Sequence, residues 1–202
     1  MARHRRADHL TRKAKQQNYP ARSVFKLEEI DRRLKILRKG QNVLDLGASP
    51  GSWTMYASKR TGPGGKVAAV DLNPVSIQLP ANVVEITMDV LDADAGGISR
   101  RSGIDAFDVV LSDMAPSTTG QKFVDQQRSF DLFMSALELA VLLLKPGGSF
   151  VGKIFQSAEM DDARKRIRDL FKKERIIRPR GTRSSSTELF LAGLGRSKPR
   201  DG

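Results

Sequence analysis

The chain reads as a single α/β domain on a mostly parallel, seven-stranded sheet with helices on both faces, and three observations carry that reading. Short apolar runs alternate with helical segments along most of its length. Those runs are largely unbroken rather than alternately polar and apolar, as in strands buried on both faces. The first of them runs straight into a glycine turn, Gly47-Ala48-Ser49-Pro50-Gly51, ahead of a helical stretch. At 202 residues the chain is long enough for one good core and short for two.

Taken in order, Met1 to about Gln17 is basic and poor in apolar residues, and reads as an arm that is disordered without a partner. The expected division is thus a flexible arm over 1–20, a folded domain over 21–195 and a flexible tail over 196–202. From Ala21 to Leu37 the apolar positions Val24, Phe25, Leu27, Ile30, Leu34 and Leu37 recur at helical spacing, ending near Gly40. Asn42–Leu46 is a short buried strand and Trp53–Lys59 a helix. Lys66–Asp71, Val83–Met88 and Phe107–Ser112 are the next three strands. Asp125–Leu144 is a long helix stopped by Pro146-Gly147-Gly148, and Ser149–Ile154 is a fifth strand. Asp161–Lys173 is a basic amphipathic helix. Arg175–Arg178 and Glu188–Leu194 are the last two strands, a candidate antiparallel edge hairpin around the loop Gly181–Ser186.

Charge is unevenly placed. Residues 1–40 hold 13 Lys/Arg against 4 Asp/Glu, and residues 161–202 hold 13 against 6, while the middle is slightly acidic. Basic ends around a near-neutral centre suit a fold that gathers a polyanion with its edges. The absence of cysteine excludes disulfides, thiolate metal sites and a cysteine nucleophile. No other metal-ligand spacing is present, and His4 and His9 lie in the basic arm. The longest apolar stretch, Leu137–Leu144, is interrupted by Glu138 and too short to span a bilayer. No apolar run follows the basic N-terminus as a signal peptide requires. A cytoplasmic protein without a membrane partner, and a monomer, is the simplest expectation.

In an open parallel sheet, ligands bind beyond the carboxyl ends of the strands, near the point where strand order reverses. Gly47 and Gly51 allow close backbone approach there. Their spacing is neither the dinucleotide fingerprint nor a Walker loop, which favours a cofactor without phosphates. Asp71 ends the second strand, where a carboxylate can accept hydrogen bonds from both hydroxyls of a nucleoside ribose. Asp89 follows the third strand, in place to meet an adenine amino group. Lys153 is a cation inside the otherwise apolar Ser149-Phe150-Val151-Gly152-Lys153-Ile154-Phe155. A lysine buried in a strand requires a partner or a function.

Four contexts, in this order, complete the pattern: Lys26 in Arg-Ser-Val-Phe-Lys-Leu, Asp113 in Leu-Ser-Asp-Met-Ala-Pro, Lys153 in Val-Gly-Lys-Ile-Phe-Gln, and Glu188 in Ser-Ser-Ser-Thr-Glu-Leu. Together with the glycine loop they resemble the FtsJ family of RNA 2'-O-methyltransferases, over roughly Asn18 to Leu194. The resemblance implies a Rossmann-like class I methyltransferase fold and S-adenosylmethionine as cofactor, held by Gly47, Gly51, Trp53, Asp71, Asp89 and Asp113. It also implies a catalytic set of Lys153 facing the hydroxyl, Asp113 beside it, and Lys26 and Glu188 positioning the pair. The family loop usually reads Ala-Pro-Gly-Gly-Trp, and here it reads Ser49-Pro50-Gly51-Ser52-Trp53. Amino-methylating enzymes commonly carry an aromatic after the fourth strand to stack a flipped base. Asp113-Met114-Ala115-Pro116 has none, which favours a hydroxyl target.

A ribose hydroxyl is a poor nucleophile until its proton leaves, so the chemistry needs alignment and a proton acceptor. A lysine can serve only in its neutral form, which burial favours and nearby carboxylates oppose. The compact length resembles family members that methylate a uridine ribose in 23S ribosomal RNA, often on the large ribosomal subunit. Transfer-RNA methylation, and a non-catalytic role in ribosome assembly, are the alternatives.

Overall fold

The computed structural model describes residues 2–180 and 186–197, with side chains from His9 onward. The expected loop Gly181–Ser186, apart from Ser186, and the expected tail beyond Ser197 lie outside the described residues, as does the side chain of His4. In chain order the elements are α1 (Ala2–Gln16), α2 (Val24–Leu34), β1 (Asn42–Leu46), α3 (Ser52–Thr61), β2 (Lys66–Asp71), β3 (Val83–Thr87) and α4 (Ala95–Ser102). They continue with β4 (Phe107–Ser112), α5 (Lys122–Leu143), β5 (Leu144–Phe155), α6 (Met160–Leu170), β6 (Phe171–Ile177) and β7 (Glu188–Arg196).

The seven strands form one sheet in the order β3-β2-β1-β4-β5-β7-β6. The five from β3 to β5 run parallel, whereas β7 runs antiparallel to both β5 and β6. Strand order reverses between β1 and β4, so the loops after these two strands flank the crevice where such sheets bind ligands. Alternate side chains of each strand face opposite layers. Leu44, Leu46, Val110 and Phe150 pack with Ile98 of α4, Phe133 and Leu137 of α5 and Ile167 of α6. Val43, Val109, Val151 and Phe190 pack with Leu27 and Ile30 of α2 and Trp53 and Ala57 of α3. Truncating a side chain such as Phe133, which meets the Phe150 ring edge-on at 5.5 Å, would cost about 3–5 kcal/mol.

Three sequence expectations change. The stretch read as a disordered arm is helical over Ala2–Gln16. It contains neither Gly nor Pro, Ala14 is buried, and the helix stops where Asn18 takes a left-handed turn (φ 60°) ahead of Pro20. Helix α4 went unread because Gly96 and Gly97 are poor helix formers. It starts instead from the Asp94 side chain, which accepts the Gly97 N–H at 2.6 Å. Finally, α6 ends at Leu170, earlier than the expected Lys173, because Phe171 turns inward against Gly193, where a Cβ would come within 2.5 Å of its ring. The last two strands form the antiparallel hairpin at the sheet edge that the sequence suggests, with β6 outermost and β7 between it and β5.

Candidate active site

The catalytic candidates arrive from four elements at the carboxyl end of the parallel strands. Asp113 directly follows β4, and Lys153 lies late in β5. Lys153 Nζ donates to Asp113 Oδ1 at 2.9 Å and also to the Asp113 main-chain carbonyl. The lysine side chain is 7% exposed and the Asp113 side chain 15%, so the pair is largely shielded from water. A second ion pair joins Lys26 of α2 to Glu188 of β7, with Nζ–Oε1 at 2.5 Å and both side chains mostly buried.

The sheet brings the two pairs together. Lys153 is registered opposite Phe190, and Phe155 opposite Glu188. Lys153 and Glu188 are therefore diagonal neighbours on one face, about 7–8 Å apart by sheet geometry. That face is the one covered by α2 and α3, and α2 carries Lys26.

What holds α2 in place is equally specific. The Ser52 hydroxyl accepts the Ala21 N–H at 2.8 Å and donates to the Ala21 carbonyl at 3.0 Å. Trp53 Nε1 donates to the Ser23 carbonyl at 3.0 Å. Farther along, buried Asp31 accepts from Leu37 N, Tyr56 Oη and Arg60 Nε. Burial, and then the negative charge of Asp31, push the Tyr56 hydroxyl well above its ordinary pKa. The first turn of α3 thus clamps the residues leading into Lys26. Ser52, a departure from the family loop, is one of the clamps.

The cofactor candidates lie around the strand-order reversal. Asp71 Oδ2 accepts the Ser49 N–H at 3.0 Å and Oδ1 the Asn73 N–H at 2.8 Å. Asp89 Oδ1 accepts the Leu91 N–H at 2.9 Å. Gly47 (φ 77°) and Gly51 (φ 109°) both adopt conformations that favour glycine. At each, the chain that approaches closely is the protein's own. A Cβ on Gly47 would come within 2.6 Å of Met114 Cγ, and one on Gly51 within 2.6 Å of Val75 Cγ1. Trp53 is 3% exposed, and its ring packs on Phe190 with centroids 5.6 Å apart. Its indole is a packing element beneath the site; what it presents toward the crevice is the backbone N–H of the first turn of α3.

Asp45 was missed by sequence reasoning. It is fully buried in β1, two residues before Gly47. Oδ2 accepts the Thr54 hydroxyl at 2.7 Å, while Oδ1 is buried with no hydrogen-bond partner. Burial pushes its carboxyl up to about 7; the Thr54 hydroxyl opposes the rise, and the charges of Asp113 and Asp71 add to it. The signal was available: an acid inside Val43-Leu44-Asp45-Leu46 raises the same question as a lysine inside β5.

The site also fits a nucleoside sulfonium. The Asp71 carboxylate uses one lone pair per oxygen on main-chain N–H groups and keeps another on each for a pair of ribose hydroxyls. The exposed side of the Asp71 carboxylate supplies negative charge suited to a cationic donor.

Comparison with known proteins agrees with this geometry. The model of the family described as FtsJ-like methyltransferase matches residues 19–196. A protein of Sorangium cellulosum named ribosomal RNA large subunit methyltransferase E is 53% identical over 193 residues, covering 96% of this chain and 90% of its own. A protein of the same name in Bdellovibrio bacteriovorus is 48% identical over 190 residues, 94% of this chain and 96% of its own. Among solved structures, a ribosomal RNA methyltransferase of Plasmodium falciparum superposes with a TM-score of 0.76 at 22% identity, covering 88% of this chain and 98% of its own.

Proposed function

The chain belongs to the FtsJ-like methyltransferase family, and from that premise we propose that it methylates the 2'-hydroxyl of a uridine ribose in the 23S RNA of the large ribosomal subunit. The observation that carries the reading is Lys153, buried in β5 and held by Asp113 at the carboxyl end of the sheet. Such a pair serves a proton on a hydroxyl, and no aromatic follows Asp113 to stack a base.

S-adenosylmethionine, when bound, supplies a methyl group already activated by the sulfonium charge. Asp71 would hold its ribose, Asp89 its adenine, and the backbone of Gly47, Gly51 and Trp53, with Asp113, the remainder. The protein's own task is then to orient a ribose hydroxyl and receive its proton. Nitrogen in a neutral lysine side chain has two N–H donors and one lone pair. Two acceptors on Asp113, Oδ1 and the carbonyl, take the two donors. The lone pair is thereby directed to a single remaining position, where the hydroxyl proton is received. Lys26 and Glu188 fix the neighbouring wall of the site and leave Lys153 its one position. Asp113 is a positioning group in this scheme and touches the donor side as well.

No described helix is long and apolar enough to cross a membrane. The reading places the protein in the cytoplasm with its substrate, acting as a monomer. Its test is methyl transfer from labelled cofactor to large-subunit RNA, followed by nucleoside analysis of the product. Label in 2'-O-methyluridine supports the reading. Label in a base-methylated nucleoside, in transfer RNA alone, or in no RNA refutes it.

A further inference from the structure

The end of the sheet opposite the active site carries a groove of its own, about 480 Å³ in volume. It lies where β1, β4 and β5 begin and β7 ends, beside Gln41, Asp108, Ser149 and Leu194. Five cations from three separate places in the chain line it: Lys35, Arg38, Lys145, Lys172 and Lys173. Among the described residues the only acid lining it is Asp108, already occupied by Lys145 at 3.1 Å and by the Asn42 N–H at 2.8 Å.

Four of these cations are uncommitted. Lys35, Arg38, Lys172 and Lys173 are all exposed, and none has an ion pair among the described residues. Neighbouring basic residues behave differently: Arg164 and Arg168 are both engaged by Glu174. Lysines on β6 alone could be read as guards of an edge strand. That account leaves out Lys35 and Arg38, which come from the turn after α2. Lys35 is placed there by a left-handed residue (φ 54°) that ends the helix. The floor is open, since the position a Cβ would take at Gly147 has nothing within 4 Å. The stem of Lys172 lies along Gly195, within 3.5 Å of the same position there.

We propose that this groove is a second RNA site, which holds phosphodiesters of a substrate segment remote from the methylated nucleotide. The inference rests on the reading of the chain as an RNA methyltransferase. Uncommitted cations around an open backbone floor match a phosphate backbone. Asp108 and Asp113 stand at opposite ends of β4, about 16 Å apart at the usual strand rise. Helical layers cover both faces between them. An RNA that touches both ends must therefore be folded or bent around the protein, and the groove selects structured RNA over short single strands.

The test is a neutralised chain, Lys35→Asn, Arg38→Gln, Lys172→Gln and Lys173→Gln, compared with the unaltered one. Asparagine tolerates the left-handed position, and glutamine keeps the stem length. Binding is read by fluorescence anisotropy across a salt series, with two probes. One is a protein-free folded fragment of large-subunit RNA; the other is a short oligoribonucleotide with only the target nucleotide and its immediate neighbours. For the folded fragment the slope of log affinity against log salt should fall by about 1 for each lost phosphate contact, hence by about 2–4. For the short strand both affinity and slope should stay within twofold. Equal losses on both probes would mean a general loss of positive field or a damaged fold, and would overturn the proposal. So would an unchanged slope on folded RNA accompanied by weaker binding to intact subunits, which would assign the groove to a ribosomal protein. Methyl transfer by the unaltered chain is measured in parallel: its absence on every RNA would refute the enzymatic reading and leave the binding comparison intact.

Discussion

Lys153 holds Asp113 twice, through the carboxylate Oδ1 at 2.9 Å and through the main-chain carbonyl of the same residue. A surface ion pair uses one flexible contact. Here a nearly buried ammonium nitrogen is fixed by a side chain and by the backbone that ends β4. Lys153→Ala should lower single-turnover methyl transfer at saturating RNA by at least about 100-fold, the scale of a lost general base. Cofactor affinity should change little. Lys153→Arg, which keeps charge but cannot give up its proton, should not restore the rate. A rate near that of the unaltered protein in either variant would reduce Lys153 to a structural ion-pair partner.

Lys26 and Glu188 should behave as one unit. Lys26→Met and Glu188→Gln each remove the partner of a mostly buried charge. The two losses in stability should therefore not add. A double-mutant cycle by urea unfolding should give a coupling of about 0.5–3 kcal/mol. Strict additivity would show that the ion pair holds nothing in place.

Ser52→Ala tests the clamp on α2. It removes both hydrogen bonds to Ala21. Stability should drop by about 1–3 kcal/mol because the Ala21 backbone groups lose a partner. Methyl transfer should fall further than cofactor binding, since the clamp sets Lys26. If binding and transfer fall together, the hydroxyl is supporting the glycine loop.

Asp71→Ala should weaken S-adenosylmethionine binding by about 1–3 kcal/mol in calorimetry, the cost of leaving hydrogen-bonding groups unpaired. Part of that loss comes from the loop, because Ser49 and Asn73 lose their shared acceptor. Unchanged affinity would remove Asp71 from the site.

Asp45 gives the protein a stability that depends on pH. Its carboxyl is raised from 3.8 to about 7 in the folded chain. Between those values the folded state binds a proton that the unfolded state does not. This group's contribution is therefore most favourable below about pH 4, falls as pH rises, and reaches its full cost above about pH 7. Three units correspond to about 4 kcal/mol. Asp45→Asn keeps an acceptor for Thr54 and cannot ionise, so its stability relative to the unaltered chain should be higher at pH 8 than at pH 5. Urea unfolding at the two values measures it. A difference that does not vary with pH would mean that Asp45 stays ionised throughout.

The strands β1, β2 and β4 have the bounds that the sequence suggests, because each is a mainly apolar run closed by a turn or an acid. Lys153 stood out for the related reason that its charge conflicts with its surroundings. Ser52 did not, since its partner Ala21 is 31 residues away and nothing local marks the contact. Helix α1 was hidden by composition, where a basic run resembles a solvated arm. The place of β7 was hidden by topology: the residues of an antiparallel strand look alike at an edge and one strand in. Only the pairing Lys153–Phe190 shows how Glu188 reaches the site.

That placement of β7 governs the order in which the protein can assemble during synthesis. Each parallel strand after β1 finds a neighbour already made when it emerges. Strand β6 cannot, because its only neighbour in the sheet, β7, comes after it in the chain. The same late strand delivers Glu188 to Lys26. Closing the sheet and forming the Lys26–Glu188 ion pair are thus a single event, and no partly made chain can have a complete sheet while lacking Glu188.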